Sequence, residues 1–153
     1  RNSLSITIDT AFRRVIEECA RARVGRDQTW ITKDMCSAYH DLHAHGFAHS
    51  VEVWHNDSLV GGLYGVALGK IFFGESMFFN ETNASKVALL GLDWKLQNMD
   101  FRLIDCQISS RHLISLGAEN IKRNDFLREL TIGLENAGSM DDWQLDIPAR
   151  ILV

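Results

Sequence analysis

The sequence has little proline and no sign of internal division. Pro148 is the only proline among 153 residues, and neither repeats nor Gly/Ser-rich linkers interrupt the chain. A chain of this length with 46% apolar residues can bury one substantial core, so we expect a single domain. We predict that residues 1–135 form this domain and that residues 136–153 form a C-terminal tail that packs on it. Because the first residue is Arg1, the sequence is expected to be part of a longer chain.

Two further absences concern membranes and cysteine chemistry. No apolar run approaches the ~20 residues that a membrane helix needs, and the N-terminus lacks the pattern of a signal peptide. We therefore expect a cytoplasmic protein with no membrane partner. Cys19, Cys36 and Cys106 are odd in number and widely spaced, which argues against both a disulfide framework and a CxxC motif. They are expected to be reduced thiols.

The order of apolar and polar residues predicts both helices and strands. Leu4, Ile6 and Ile8 alternate with polar residues as in a strand, and Asp9 is a candidate N-cap for the helix that follows. Residues 48–79 are rich in β-forming runs and predict an antiparallel meander of three strands. The predicted order is β-α-α-β-β-β-α-β-α-β-α, in which the later elements are a helix at 83–99, a strand at 102–108, a helix at 110–116, a strand at 118–122 and a helix at 124–134.

This order predicts an α/β protein, more closely an α+β mixed sheet. A mixed sheet flanked by helices on both faces would bury all of these elements in one stack of layers. The order resembles the acyl-CoA N-acyltransferase-like fold of the acetyl-CoA-dependent acetyltransferases. The resemblance concerns the fold only, because one fold can serve many chemistries.

Residues 103–107, with the sequence LIDCQ, place two polar residues close together. On a strand, Asp105 and Gln107 project from the same face, because side chains alternate with a period of two. A carboxylate and an amide are costly to bury unless other groups satisfy them, so the pair indicates a polar site at the sheet surface. The alternative is a strand face that simply contacts solvent.

Glu75 is the one charged residue within the aromatic run from Phe72 to Phe79. An isolated carboxylate on a predicted strand could receive a cationic group. The nearby Phe72 and Met77 could line an apolar pocket, since methionine adapts to varied shapes. The alternative is an edge-strand charge that prevents aggregation.

Several sequence blocks resemble one known family. They are Thr29–Thr32 (TWIT), His49–Trp54 (HSVEVW), Gly61–Gly65 (GGLYG), Gly74–Phe78 (GESMF), Asn83–Lys86 (NASK) and Leu103–Gln107 (LIDCQ). From about Ile6 to Phe126, their order and spacing are similar to those of the bacterial leucyl/phenylalanyl-tRNA–protein transferases. These enzymes move an amino acid from tRNA onto the N-terminus of another protein. The chain resembles their C-terminal catalytic domain, and the small N-terminal domain of the family is absent from this sequence.

The resemblance implies roles for individual residues. Gln107 would engage the α-amino nucleophile, Asp105 would support it electrostatically, and Glu75 would belong to the same active site. Trp30 would stack on the terminal adenosine of the aminoacyl-tRNA. The pocket for the donor side chain would be formed by apolar residues, namely Leu63, Phe72, Met77, Leu89 and Ile104. Such a pocket accepts leucine or phenylalanine and separates similar apolar side chains poorly.

The implied reaction transfers leucine or phenylalanine, with methionine as a further donor residue, from aminoacyl-tRNA to proteins that begin with Arg or Lys. It would mark those proteins for N-degron proteolysis, and the enzyme would act as a monomer without a cofactor. The net charge of −4 does not itself favour RNA, because phosphate contacts need local Lys and Arg. The candidates for such contacts, which are alternatively a solvated helix face, are Arg13, Arg14, Arg21, Arg23 and Arg26.

Two other functions remain open. A CoA-dependent N-acetyltransferase would fit the element order, although residues 79–83 lack the glycine-rich turn that binds pyrophosphate in that family. A non-catalytic RNA- or peptide-binding remnant would fit the absence of the partner domain. His40 and His43 share a helix face, but neither a cysteine nor an acid completes a ligand set, so we expect no metal site.

Overall fold

The fold is known from a computed structural model, which describes residues 4–21, 30–136 and 142–152. Its strands are β1 (Leu4–Ile8), β2 (Ala48–His55), β3 (Ser58–Leu68), β4 (Ile71–Phe79), β5 (Leu103–Asp105) and β6 (Leu145–Pro148). Its α-helices are α1 (Phe12–Ala20), α2 (Lys33–Ala44), α3 (Ala84–Asn98), α4 (Arg111–Ser115) and α5 (Arg123–Glu135), and a 3-10 helix spans Ala149–Leu152. Among the described residues, none of the helices has the length and apolarity that crossing a bilayer requires.

The six strands form one sheet in the order β5-β4-β3-β2-β1-β6. Neighbouring strands are antiparallel, except that β4 and β5 are parallel. Helix α3 packs on one face of the sheet, and α1 and α2 pack on the other. The adjacent β3 residues Leu63 and Tyr64 belong to these two different cores, because successive side chains of a strand point to opposite faces. The predicted mixed sheet with helices on both faces is confirmed.

Two predicted strands are wrong in their extent or position. The strand expected at 102–108 ends at Asp105. Residues 118–122, all of which are described, form no strand, and the sixth strand is instead β6, which pairs with β1. Leu145 and Ile147 of β6 pack against the α3 core, whereas Ile121 stays 48% exposed. Burial against a core therefore decides which of the two segments pairs with the sheet.

The C-terminal segment is part of both the sheet and the core where it is described. The ring of Trp143 stacks on that of His49, with 3.7 Å between the ring centroids. Leu145, Ile147 and Leu152 contact the core beneath α3. The boundary predicted after residue 135 stays a prediction.

Asp9 does not cap α1, contrary to the sequence prediction. The N-cap residue is Ala11, and Asp9 has a positive φ of 59°. Its carboxylate accepts a hydrogen bond of 2.9 Å from the backbone N–H of Ser50 and so ties β1 to β2. Glu52 takes the place beneath α1, since it is fully buried and accepts from the backbone N–H of Ala11 at 3.4 Å. A carboxylate there complements the positive end of the helix dipole.

Strand β4 contains a bulge at Glu75. Tyr64 pairs with Ser76 and the next residue, Gly65, pairs with Gly74, so Glu75 has no partner in the register. A bulge bends its strand and redirects the side chains beyond it. Phe72 lies in the core beneath α3, whereas Phe78, an even number of positions later, lies in the core beneath α1 and α2.

We predict that Gly65→Ala will destabilise the protein by about 1–3 kcal/mol, the usual cost of overpacking. A Cβ at Gly65 would collide with the carbonyl oxygen of Phe73 and would lie 2.5 Å from Cε1 of Phe72. The matched control is its register partner, Gly74, where a Cβ would meet only the carbonyl oxygen of Asp105 at 3.5 Å. Gly74→Ala should change the free energy of unfolding by less than about 1 kcal/mol. Equal losses for both variants in urea denaturation would contradict this role for Gly65.

Candidate active site

A cavity of about 960 Å³, which we call the large cavity, opens beside β4. Strands β4 and β5 pair over only three residues each, Ile71–Phe73 with Leu103–Asp105. Beyond this pairing the cavity is walled by the rest of β4, by α3 and by the residues that follow β5. Its wall includes every residue that the sequence assigns to donor binding, namely Trp30, Leu63, Phe72, Met77, Leu89 and Ile104.

Part of this wall is apolar. Leu63 and Phe72 are buried in the sheet, and Ile104 of β5 is partly exposed to the cavity. Leu92 also lines the cavity, although the sequence analysis did not select it. Its spacing of three from Leu89 on α3 was the signal that could have revealed it, because residues three apart share a helix face. The apolar wall suits an aliphatic or aromatic side chain.

Trp30 supplies an aromatic surface to the same cavity. Its side chain is 51% exposed, so the ring is available to a ligand. Stacking of a nucleic-acid base on such a ring is worth roughly 1–3 kcal/mol. The large cavity therefore combines an apolar wall with a ring on which a base can stack.

The described arginines among those predicted to contact RNA do not cluster at the large cavity. Arg21 lines the large cavity and forms an ion pair of 3.1 Å with Glu18. Arg13 forms an exposed ion pair within α1, and the guanidinium of Arg14 lies 5.2 Å from the ring centroid of Trp54. Two of the predicted arginines lie outside the described residues: Arg23 and Arg26. Among the described arginines of this group, only Arg21 lies at the large cavity.

A second cavity of about 600 Å³, the small cavity, contains the two polar residues of the LIDCQ block. Asp105, Gln107 and Glu75 line it together with Tyr39. Its remaining wall is mostly apolar and consists of Met35, Ala38, Leu42, Val66, Leu68 and Phe73. Glu75 lines both cavities, and the bulge of β4 is therefore the point where they meet.

Gln107 reaches the small cavity by a different route from the one predicted. The prediction that Asp105 and Gln107 share a strand face is wrong, because the strand ends at Asp105 and Gln107 has a positive φ of 64°. Oδ1 of Asp105 accepts from the backbone N–H of Gln107 at 2.8 Å. Nε2 of Gln107 donates to the carbonyl oxygen of Gly74 at 2.9 Å. A carbonyl can only accept, so this contact fixes which end of the amide is nitrogen and leaves its oxygen as an acceptor.

Tyr39 is a site residue that the sequence analysis missed. Burial raises the pKa of Tyr39, and a hydrogen bond to Glu75 and the charge of that carboxylate raise it further. The hydroxyl therefore stays protonated and is available to donate a hydrogen bond to Glu75. Tyr39 lies on α2, and no local sequence pattern connects that helix to β4, so only the packing of α2 on the sheet reveals the contact.

The histidines take part in structural contacts. Nδ1 of His43 lies 2.8 Å from the carbonyl oxygen of Ala48, and its ring stacks on Phe12 with centroids 4.2 Å apart. Within the described residues, no group of three His, Cys, Asp or Glu side chains is arranged to hold a metal ion.

Sequence comparison identifies the family of this chain. A family model described as leucyl/phenylalanyl-tRNA protein transferase matches residues 1–131. The chain belongs to this family. It is 49% identical to a leucyl/phenylalanyl-tRNA–protein transferase of Shewanella pealeana and 50% identical to one of Hahella chejuensis. These matches cover 94% and 96% of the chain but only 61% and 63% of the two relatives, so the chain spans about three fifths of their length.

A solved structure outside the leucyl/phenylalanyl-tRNA–protein transferase family has the same fold. The chain is similar to aminoglycoside N-acetyltransferase AAC(6')-Iy in complex with CoA, with a TM-score of 0.57 and 16% identity. The match covers 80% of the chain and 93% of the acetyltransferase. At this identity the similarity concerns the fold alone. It confirms the predicted N-acyltransferase-like architecture.

Proposed function

We propose that this chain carries the catalytic site of an aminoacyltransferase that moves leucine, phenylalanine or methionine from aminoacyl-tRNA to the N-terminus of an acceptor protein. The observation that carries the proposal is the junction at Glu75, where a large cavity suited to the donor meets a small cavity suited to the acceptor. Membership of the leucyl/phenylalanyl-tRNA–protein transferase family supports the same assignment.

The donor would occupy the large cavity. Its apolar side chain would contact Leu63, Phe72 and Ile104, and the terminal adenosine would stack on Trp30. Arg21, at the same cavity, is the described arginine best situated to meet a nearby phosphate. Because the part of the wall formed by Leu63, Phe72 and Ile104 is apolar, it would reject charged side chains more strongly than it separates leucine, phenylalanine and methionine.

The acceptor would enter the small cavity with an N-terminal Arg or Lys. The aliphatic part of either side chain could pack on apolar residues such as Leu42 and Val66, and its cationic end would find the carboxylates of Asp105 and Glu75. An acceptor that begins with Ala has neither the long aliphatic chain nor the positive charge of Arg or Lys. Transfer to Arg or Lys would change the N-terminal residue of the acceptor and so mark it for N-degron proteolysis.

The reaction needs orientation more than strong catalytic groups. The neutral α-amino nitrogen of the acceptor attacks the ester carbon, the new C–N bond forms, and the C–O bond to the tRNA ribose breaks. The nitrogen loses one proton, and the departing ribose oxygen gains one. The amide oxygen of Gln107 would accept a hydrogen bond from the attacking amine and orient it, while Asp105 holds the backbone of Gln107 in place. No cofactor is required, and one chain acting as a monomer in the bacterial cytoplasm would suffice.

We predict that Gln107→Ala and Asp105→Ala will each lower kcat/KM for leucine transfer by up to roughly 100-fold, because the first change removes the orienting amide and the second releases the backbone that holds it. The assay measures transfer of labelled leucine from charged tRNA to a peptide that begins with Arg. Gln97→Ala and Asp146→Ala are matched controls, since both residues are exposed and line neither cavity. Activity losses in the controls equal to those in the site variants would remove the special role of Gln107 and Asp105.

The same assay separates the competing functions. Transfer to an Ala peptide at the rate seen with Arg would contradict the acceptor rule. Transfer of an acetyl group from acetyl-CoA, with no transfer of leucine, would favour an N-acetyltransferase. Binding of charged tRNA without any transfer would favour a non-catalytic RNA-binding protein.

We predict that Ile104→Ala will shift donor preference towards phenylalanine. Shortening this side chain enlarges the apolar part of the large cavity, and differences of this size in an apolar pocket change selectivity roughly tenfold. The measurement is the ratio of kcat/KM values for phenylalanine and leucine transfer. Ile151→Ala removes the same atoms from an exposed position outside both cavities and should leave the ratio unchanged. An unchanged ratio in Ile104→Ala would exclude this residue from the donor pocket.

A further inference from the structure

Tyr64 brings to the wall of the large cavity a buried hydroxyl group that the proposed mechanism does not use. The residue is fully buried, and its ring lies edge-on to those of Phe12 and Tyr39, at centroid distances of 6.0 and 5.1 Å. The hydroxyl oxygen is closed to solvent and has no hydrogen-bond partner among the described residues. A phenylalanine would keep the packing of the ring. The hydroxyl therefore costs free energy, because it is desolvated without a hydrogen bond from the described residues in return.

The register of the sheet places Tyr64 next to Glu75. In the sheet, Tyr64 pairs with Ser76, the residue directly after the bulged Glu75. Burial raises the pKa of Tyr64, and electrostatic interactions with Cys19, Tyr39 and Glu75 raise it further. The group therefore remains a neutral phenol that can donate a proton to an acceptor but cannot serve as a base near neutral pH. It lies within the electrostatic reach of Glu75 without bonding to it.

Glu75 can provide the hydrogen-bond acceptor that the Tyr64 hydroxyl lacks. A carboxylate can accept about four hydrogen bonds, so a bond from Tyr39 would leave room for others. In the proposed reaction, the donor brings the amino group of its aminoacyl ester into the large cavity, which Glu75 lines. A carboxylate binds an amino group best when other hydrogen bonds fix the orientation of the carboxylate. The closed hydroxyl of Tyr64 can act on the donor only through another residue.

We propose that Tyr64 is a positioning residue for Glu75. When the donor fills the large cavity, the Tyr64 hydroxyl donates a hydrogen bond to the Glu75 carboxylate and holds the carboxylate against the amino group of the aminoacyl ester. The inference rests on the proposed function, since it takes an aminoacyl ester as the ligand. The proposed hydrogen bond belongs to the donor-bound protein.

The test is Tyr64→Phe, which removes only the hydroxyl. The probes are a leucyl-adenosine analogue with a non-hydrolysable amide linkage and the matched analogue that lacks the α-amino group. Binding of the first analogue should weaken roughly tenfold or more, because a hydrogen bond to a charged group is lost. Binding of the second should not change. The melting temperature of the unliganded variant should be equal to or above that of the wild type, since no bond is lost there.

A second comparison identifies Glu75 as the residue through which Tyr64 acts. In a Glu75→Gln background, Tyr64→Phe should produce little further loss of affinity, because residues that act together are not additive. An undiminished loss in that background, an equal loss for both analogues, or a lower melting temperature would each overturn the proposal. So would wild-type affinity of Tyr64→Phe for the amino-bearing analogue. If the wild-type protein binds neither analogue, the proposed function itself fails. This outcome differs from those that overturn only the role of Tyr64.

Discussion

The site depends on a single additional residue in β4. Between the register pairs on either side of Glu75, β4 advances by two residues while β3 advances by one, and every later side chain of β4 consequently points to the other face of the sheet. Met77 thereby contacts the core beneath α3 and Phe78 the core beneath α1 and α2. Glu75 itself stands at the meeting point of two cavities. Gly65 permits this arrangement because the neighbouring backbone leaves no room for a side chain opposite the bulge.

The short pairing of β4 with β5 leaves the volume of the large cavity beside the bulge. A parallel pair of only three residues leaves the rest of β4 beside open volume, which α3 and the residues after β5 enclose. An apolar wall that borders such a cavity can form packing contacts with a ligand. The same ending of β5 sends Gln107 into a left-handed conformation, and its side chain returns to the backbone of Gly74 on β4. The end of β5 at Asp105 therefore shapes both the sheet and the candidate site.

The sequence predicted much of this architecture but not the contacts that complete the site. Alternation and helical spacing were sufficient for β1, the meander from β2 to β4 and helix α3, since each has a strong local pattern. Gln107 was assigned to a strand because the period-two rule assumes that the strand continues, and a single residue with positive φ leaves no trace in such a pattern. Tyr39 escaped selection for another reason. It belongs to a helix, and which sheet residues a helix contacts is decided by tertiary packing.

The strand order has a practical consequence for handling this protein. Strand β6 stands at one edge of the sheet, and β4 is separated from it by β1, β2 and β3. At about 4.8 Å between neighbouring strands, β6 and β4 are roughly 19 Å apart. A dye or surface tether attached at β6 would therefore stand four strands away from the bulge of β4. Immobilised protein should keep its cavities free for large ligands in solution.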